Sequence, residues 1–334
     1  MNILLIGPVA EPNMVNGIQT FNRMLASILN EQHNLDVAIL VNQLFTGKIR
    51  TREVARLTGC GTYGIDWSKP LNFAPFDMLI LSGADIGEHG TSDYKKILRA
   101  FPGPVLIWAH GAHLSGLSRL GDKELQRDNV RYVCCDELSF REAQAYGYGD
   151  KAVLLVNPTP FEAKGVKPGA GYGIIVSNLS RRKNYPDMIR VAEECLPDTP
   201  IRVYGQVKNE SILGDIEACA QMEYRGTLPH DELMEEVASA DFILHMAIAE
   251  GFPSLAVREA NGLGVPAILP KNPLYEESVQ GGNVFVDVND LQPIDTSAMA
   301  ALEARQELAG QTSEKYGVEV FREGLATLID EVRE

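Results

Sequence analysis

Two glutamates, a run of cations and one histidine are the residues whose types and spacing could do chemistry. Glu250 stands in Ala249-Glu250-Gly251-Phe252-Pro253-Ser254, after the apolar run 241–246, and eight residues separate it from Glu259. An ionised carboxylate only accepts hydrogen bonds, so it suits hydroxyl groups rather than phosphate. The stretch Ser177-Asn178-Leu179-Ser180-Arg181-Arg182-Lys183-Asn184 puts three adjacent cations between an apolar run and a helical pattern. Such a cluster can neutralise a diphosphate, and arginine can do so bidentately. His110 closes the apolar run 104–109 and opens His110-Gly111-Ala112-His113. His113 lies deeper in that loop and is the weaker candidate.

These side chains need elements to hold them. The run 241–246 reads as a buried parallel strand. Gly251 permits a tight backbone path, and Pro253 suits the first turn of a helix, where its missing N–H costs nothing. A helix is therefore predicted over about 253–262, stopped by Gly264 and Pro266, with a further strand over 265–269. In open parallel sheets, ligands bind beyond the carboxyl ends of the strands. The first-turn N–H groups of a helix starting there suit an anion. Glu250 in the loop and Glu259 in the helix would then face sugar hydroxyls. The local chemistry is that of a nucleotide-sugar site.

Glu250-Gly251-Phe252, Glu259-Ala260 and Gly264-Val265-Pro266 together resemble the signature of the GT4-type retaining glycosyltransferases (glycosyl transferases group 1) of GT-B fold. Here the two glutamates stand one residue further apart than that family has them. One extra residue rotates or bulges the first helical turn by about 100°. The resemblance extends along the chain. It implies that Gly17, Asn178, Arg181, Arg182, Lys183, Leu228, Gly251, Phe252, Pro253, Ser254 and Glu259 bind the donor. His110, Lys183 and Glu250 would carry the catalysis. Lys183 matches the family's lysine before a helix. Asn178 stands where the family has its phosphate arginine, and Arg181 or Arg182 could replace it. Leu228 belongs to the loop Arg225-Gly226-Thr227-Leu228-Pro229, which the resemblance puts near the base. Asn16 replaces the first of two glycines in the family's N-terminal loop, leaving Gly17.

The chain has 334 residues and 45% apolar content, enough for two α/β domains with full cores. Strands are predicted over 3–7, 35–41, 77–81, 104–109, 130–134 and 152–156, with a helix over 137–146. The segment 42–75 is hard to read. The connector 161–171, with Lys164, Lys167 and three glycines, separates this half from a second one. There strands are predicted over 172–176, 201–204, 222–224 and 284–286, and helices over 185–195, 211–219, 296–308 and 314–334. The alternation argues doubly wound α/β architecture. The resemblance makes it two Rossmann-like domains facing a central cleft. The domains are an acceptor-side domain 1–165, a donor domain 166–315, and a C-terminal helix 316–334 packing back on the first.

A net charge of −15 disfavours non-specific binding to nucleic acid or anionic lipid. No apolar run is long enough for a membrane-spanning helix, and the N-terminus reads as a strand. Five cysteines at no metal-ligand spacing indicate reduced thiols, hence a cytoplasmic setting. The resemblance implies transfer of a hexosyl or pentosyl group from a nucleotide diphosphate sugar to an acceptor hydroxyl. It implies retention, no metal site, and no cofactor besides the donor. The acceptor stays open among a glycan, a lipid carrier, a metabolite, a protein and a modified nucleobase. A non-catalytic nucleotide-sugar-binding or partner subunit is the alternative from another class, and a sugar-nucleotide epimerase the enzymatic one.

Overall fold

The structure is a computed structural model that describes residues 1–7, 17–40, 60–65, 72–82, 97–110, 126–159, 165–247, 254–279 and 281–333. They form two compact units, Met1–Asn157 with Phe321–Glu334, and Pro158–Val320. Among the described residues no helix is long and apolar enough to cross a membrane.

In the first unit the strands are β1 (Asn2–Ile6), β2 (Asn34–Leu40), β3 (Gly61–Ile65), β4 (Met78–Ser82), β5 (Val105–Ala109), β6 (Val130–Cys134) and β7 (Ala152–Leu154). They pair in parallel in the order β3-β2-β1-β4-β5-β6-β7. The inner strands are continuous apolar runs because both faces are covered. Ile3 to Ile6 and Met78 to Leu81 are wholly buried. β3 is the element that the sequence hides. Its Gly61-Thr62-Tyr63-Gly64-Ile65 lacks an apolar run, and it lies at the end of the sheet order, paired with β2.

Helix α1 (Gly17–Gln32) buries Phe21, Leu25, Ala26, Ile28 and Leu29, the stripe expected of one helical face. Helix α2 (Glu137–Ala145) is capped by Asp136, whose carboxylate accepts from Ser139 N–H.

In the second unit the strands are β8 (Gly173–Val176), β9 (Ile201–Tyr204), β10 (Met222–Gly226), β11 (Phe242–Leu244), β12 (Ala267–Pro270) and β13 (Val284–Val286). Their parallel order is β10-β9-β8-β11-β12-β13. The helices are α3 (Tyr185–Cys195), α4 (Glu210–Ala218), α5 (His230–Ser239), α6 (Leu255–Gly262), α7 (Pro273–Ser278) and α8 (Leu302–Tyr316). Gly205 fits where β8 and β9 end close together. A Cβ there would lie 1.8 Å from the Ser177 carbonyl oxygen.

The last two helices differ from the predicted bounds. Residues 296–300 form turns rather than helix, with Met299 N–H bonded to Thr296 O and Ser297 N–H to the Asp295 carboxylate. Gly317, with extended backbone, then separates α8 from α9 (Val318–Arg333). Helix α9 belongs to the first unit from Phe321 onward. The Phe321 ring lies 6.0 Å from Phe21 and 5.9 Å from Trp108, which are themselves 5.1 Å apart. Arg322 pairs with Glu31 on α1.

All five cysteines are buried free thiols, and burial pushes Cys134 up to about 12, so it is an inert packing residue.

The aromatic trio makes the C-terminal helix a structural member of the first unit. Phe321→Ala should cost about 3–5 kcal/mol, the usual loss for a buried phenylalanine. Urea unfolding of the variant measures this. A loss below about 1 kcal/mol would mean the helix is only loosely attached.

Candidate functional site

Each sheet reverses its strand order once, between β1 and β4 in the first unit and between β8 and β11 in the second. Beyond the carboxyl ends at such a reversal lies the usual ligand site of an open α/β sheet.

In the first unit, β1 leads into Gly7, where a Cβ would meet the Ser82 carbonyl oxygen at 2.0 Å. Ser82 ends β4. Asn22 on α1 reaches across the reversal: its Nδ2 donates to Ser82 O at 3.3 Å, and its Oδ1 bonds the Ser82 hydroxyl. Both residues are fully buried. The same hydroxyl stands 2.9 Å from His110 Nε2. The Phe21 ring packs edge-on against the His110 ring at 5.1 Å. His110, directly after β5, is therefore held on two sides. Trp108, two residues earlier, donates through Nε1 to Asn157 Oδ1 at 3.4 Å.

In the second unit, the loop after β8 is pinned by Leu179, whose N–H and C=O bond Gln206 O and Lys208 N–H. Asn178, Arg181 and Arg182 are exposed, and Lys183 is half-buried. Residues Arg181–Lys183 form one tight helical turn, and Asn184 then adopts the left-handed conformation with φ 57°. Asparagine tolerates that region better than most residues. Its side chain uses the position: Nδ2 donates to Met246 O at 3.1 Å and to Asp187 Oδ2 at 2.7 Å. Asn184 thus ties the start of α3 to the chain after β11, across the second reversal. Tyr185 is buried, with its hydroxyl 2.9 Å from Ser177 Oγ and 3.1 Å from Ser177 O. Burial raises its pKa well above that of an ordinary tyrosine, so the hydroxyl stays neutral.

Helix α6 begins after Ser254, whose Oγ accepts from Val257 N–H at 3.4 Å. This first turn starts two residues later than Pro253. Glu259 is buried, 6% exposed, and its Oε1 lies 3.1 Å from His230 Nε2 at the start of α5. Among the described residues, His230 is the hydrogen-bond partner of this carboxylate. The other carboxylate near His230 is Asp231, at 3.9 Å from Nδ1. Leu228, half-buried, precedes α5 in the same loop.

The structure thus brings Asn178, Arg181, Arg182, Lys183, Leu228, Ser254 and Glu259 to the carboxyl edge of one sheet. Gly17, at the start of α1, and His110 lie at the carboxyl edge of the other. Glu250, Gly251, Phe252, Pro253 and His113 lie outside the described residues. Sequence reasoning missed His230, Asn22, Ser82 and Asn184. For His230 the signal was its place at a helix start just after the Arg225–Pro229 loop. Its partner is 29 residues away on another helix. Among the described residues no group of three or more His, Cys, Asp or Glu side chains could hold a metal ion.

Residues 158–315 match the family described as Glycosyl transferases group 1, which bears out the resemblance drawn from the glutamate motif. No curated protein matches the chain in sequence. Solved structures match over nearly the whole chain. Anabaena Alr3699/HepE in complex with UDP has a TM-score of 0.71 at 13% identity, covering 99% of this chain and 100% of that one. The lipopolysaccharide outer core galactosyltransferase WaaB, in apo form, gives 0.66 at 14% identity, covering 98% and 99%. An α-glucosyltransferase in complex with UDP and a 13-mer DNA containing a HMU base gives 0.64 at 13%, covering 100% of both chains. The fold is GT-B.

The His230–Glu259 contact is the least exposed ion-pair geometry of the second unit's edge. A double-mutant cycle with His230→Ala and Glu259→Gln should show a coupling of about 0.5–3 kcal/mol in urea unfolding. Additivity within about 0.3 kcal/mol would mean the two side chains are neighbours without an interaction.

Proposed function

We propose that this chain, whose second unit carries the match to group 1 glycosyl transferases, moves a sugar from a nucleotide diphosphate sugar to an acceptor hydroxyl with retention at the anomeric carbon. The observation that carries the reading is Glu259. A carboxylate has about four lone-pair sites, and this buried one has one described side-chain partner. It stands on the helix after β11, on the sheet edge that also carries Lys183. A pair of ribose hydroxyls would complete it.

The remaining roles follow from the resemblance. Lys183, with Arg181 or Arg182, neutralises the charge that develops on the leaving diphosphate. The first turn of α6 at Ser254 adds its backbone N–H groups. Gly17 and Gly251 allow close backbone approach to phosphate. Leu228 packs on the base. His110 and Glu250 contact the donor sugar. The acceptor hydroxyl attacks on the face from which the diphosphate leaves, and no protein nucleophile forms a bond to the sugar. The reaction needs no metal and no cofactor beyond the donor, and the protein works in the cytoplasm. UDP and UDP-glucose are the first ligands to test, since Alr3699/HepE is seen with both.

Lys183→Ala should lower sugar turnover by a factor on the order of 10²–10³, the size of a lost electrostatic donor. Turnover near that of the unaltered protein, with folding intact, would place this lysine outside the reaction.

The two glutamates should separate by calorimetry. Glu259→Gln should weaken bare UDP and UDP-glucose alike, by about tenfold to a hundredfold, the worth of a buried hydrogen bond to a charge. Glu250→Gln should spare UDP and weaken UDP-glucose. If Glu259→Gln binds UDP as tightly as the unaltered protein, the extra residue before Glu259 has turned it from the ribose.

A further inference from the structure

We propose that Asn22 and Ser82 are positioning residues that fix His110 as the tautomer with its proton on Nε2. Ser82 O can only accept, so the atom of Asn22 that faces it at 3.3 Å must be the amide nitrogen. That fixes the amide orientation, which bond geometry alone would leave ambiguous. The other end of the amide, Oδ1, then faces the Ser82 hydroxyl and can only accept from it. A serine hydroxyl has one hydrogen, and it is now committed to Asn22. The Ser82 oxygen therefore meets His110 Nε2, 2.9 Å away, as an acceptor. The proton of that bond sits on Nε2.

Burial makes the chain of bonds firm. Asn22 and Ser82 are both wholly buried, so water does not compete for either. Gly7 keeps the third side closed, because its backbone passes where a side chain would strike Ser82 O. Phe21 presses edge-on against the imidazole and restricts its rotation. Asn22 on α1 thus acts through Ser82 at the end of β4 on one ring nitrogen of the residue that follows β5.

The consequence concerns the opposite nitrogen. In a neutral ring carrying its proton on Nε2, Nδ1 is the lone-pair atom. Whatever meets Nδ1 must donate a hydrogen. A sugar hydroxyl does so, whereas a carbonyl or phosphate oxygen would be repelled. This functional side rests on the reading above. The tautomer itself does not, since it follows from three hydrogen bonds within one unit.

Ring-nitrogen NMR of ¹⁵N-histidine-labelled protein tests it without any substrate, with His110→Asn used to assign the resonance. The unaltered protein should show His110 protonated at Nε2, with that N–H protected from solvent exchange. Ser82→Ala should lose the protection, and Ser82→Thr, which restores a hydroxyl, should recover it. Sugar turnover should fall in Ser82→Ala by about threefold to tenfold, the worth of one neutral hydrogen bond, and recover in Ser82→Thr. A proton on Nδ1 in the unaltered protein overturns the proposal whatever the variants do. Protection unchanged in Ser82→Ala also overturns it. If the tautomer is as stated but no sugar nucleotide is turned over, the positioning stands and the glycosyl-transfer reading falls.

Discussion

The constraint on which both units depend is the fate of backbone carbonyls where parallel strands stop. Within a ladder each carbonyl has a partner. Just past the last paired residue it has none, yet it is still buried among helices, and a buried unpaired carbonyl costs as much as a lost hydrogen bond. In this protein side chains from the following elements fill that need. Asn22 bonds Ser82 O at the end of β4, and Tyr185 bonds Ser177 O after β8. Tyr224 bonds Gly205 O after β9. Asn184 bonds Met246 O and Tyr275 bonds Ala247 O after β11. Two of these, Asn22 and Asn184, span the reversals of strand order. Each belongs to the crossover that follows the first strand of its unit, and each bonds the chain leaving the strand on the far side of the reversal. The two halves share no sequence repeat, yet solve the same problem with the same amide group.

The donors used are all neutral, and that choice has an electrostatic result. An amide or phenol satisfies a carbonyl without placing a fixed charge beside it. Burial keeps the Tyr185 hydroxyl protonated across the ordinary pH range. The sheet edge is therefore held by uncharged donors. Charged side chains, Lys183 and Glu259 among them, can then be set on a scaffold whose own bonds carry no fixed charge. Rigid support beneath a charged group is what lets it stabilise a developing charge without reorganising.

The sequence reveals the layers of this fold more readily than its contacts. Strands such as Ile3 to Ile6 and Val105 to Ile107 are legible because burial on both faces demands an unbroken apolar run. β3 is not, because a strand at the end of the sheet order can carry glycine and threonine. The C-terminal helices shift because an Asp295 turn and Gly317 decide their ends, and apolar spacing does not encode either. Among site residues, the glutamate and cation motifs are local patterns and were readable. The Asn22–Ser82 pair is 60 residues apart. It becomes visible only once β1 and β4 are known to be neighbours. His230 and Glu259 lie on different helices, 29 residues apart, and their approach is not a local pattern.

Two buried ionic side chains of the second unit show how stability and chemistry divide. Arg305, wholly buried on α8, donates to Ala240 O and Ala238 O at 2.7 Å each, closing the end of α5. Burial lowers its pKa, while Asp241 opposes that shift. Its two carbonyl partners are backbone groups that exist in every folded molecule, so these two bonds form as soon as the unit folds, while among the described residues its buried Nε has no hydrogen-bond partner. Gly264 keeps the approach open, since a Cβ there would lie 2.6 Å from Arg305 O. Glu259 is the contrary case. It is nearly as buried, and among the described residues its hydrogen-bond partner is a side chain, His230. The same fold thus turns one buried charge onto its own backbone and sets the other beside a histidine at the sheet edge.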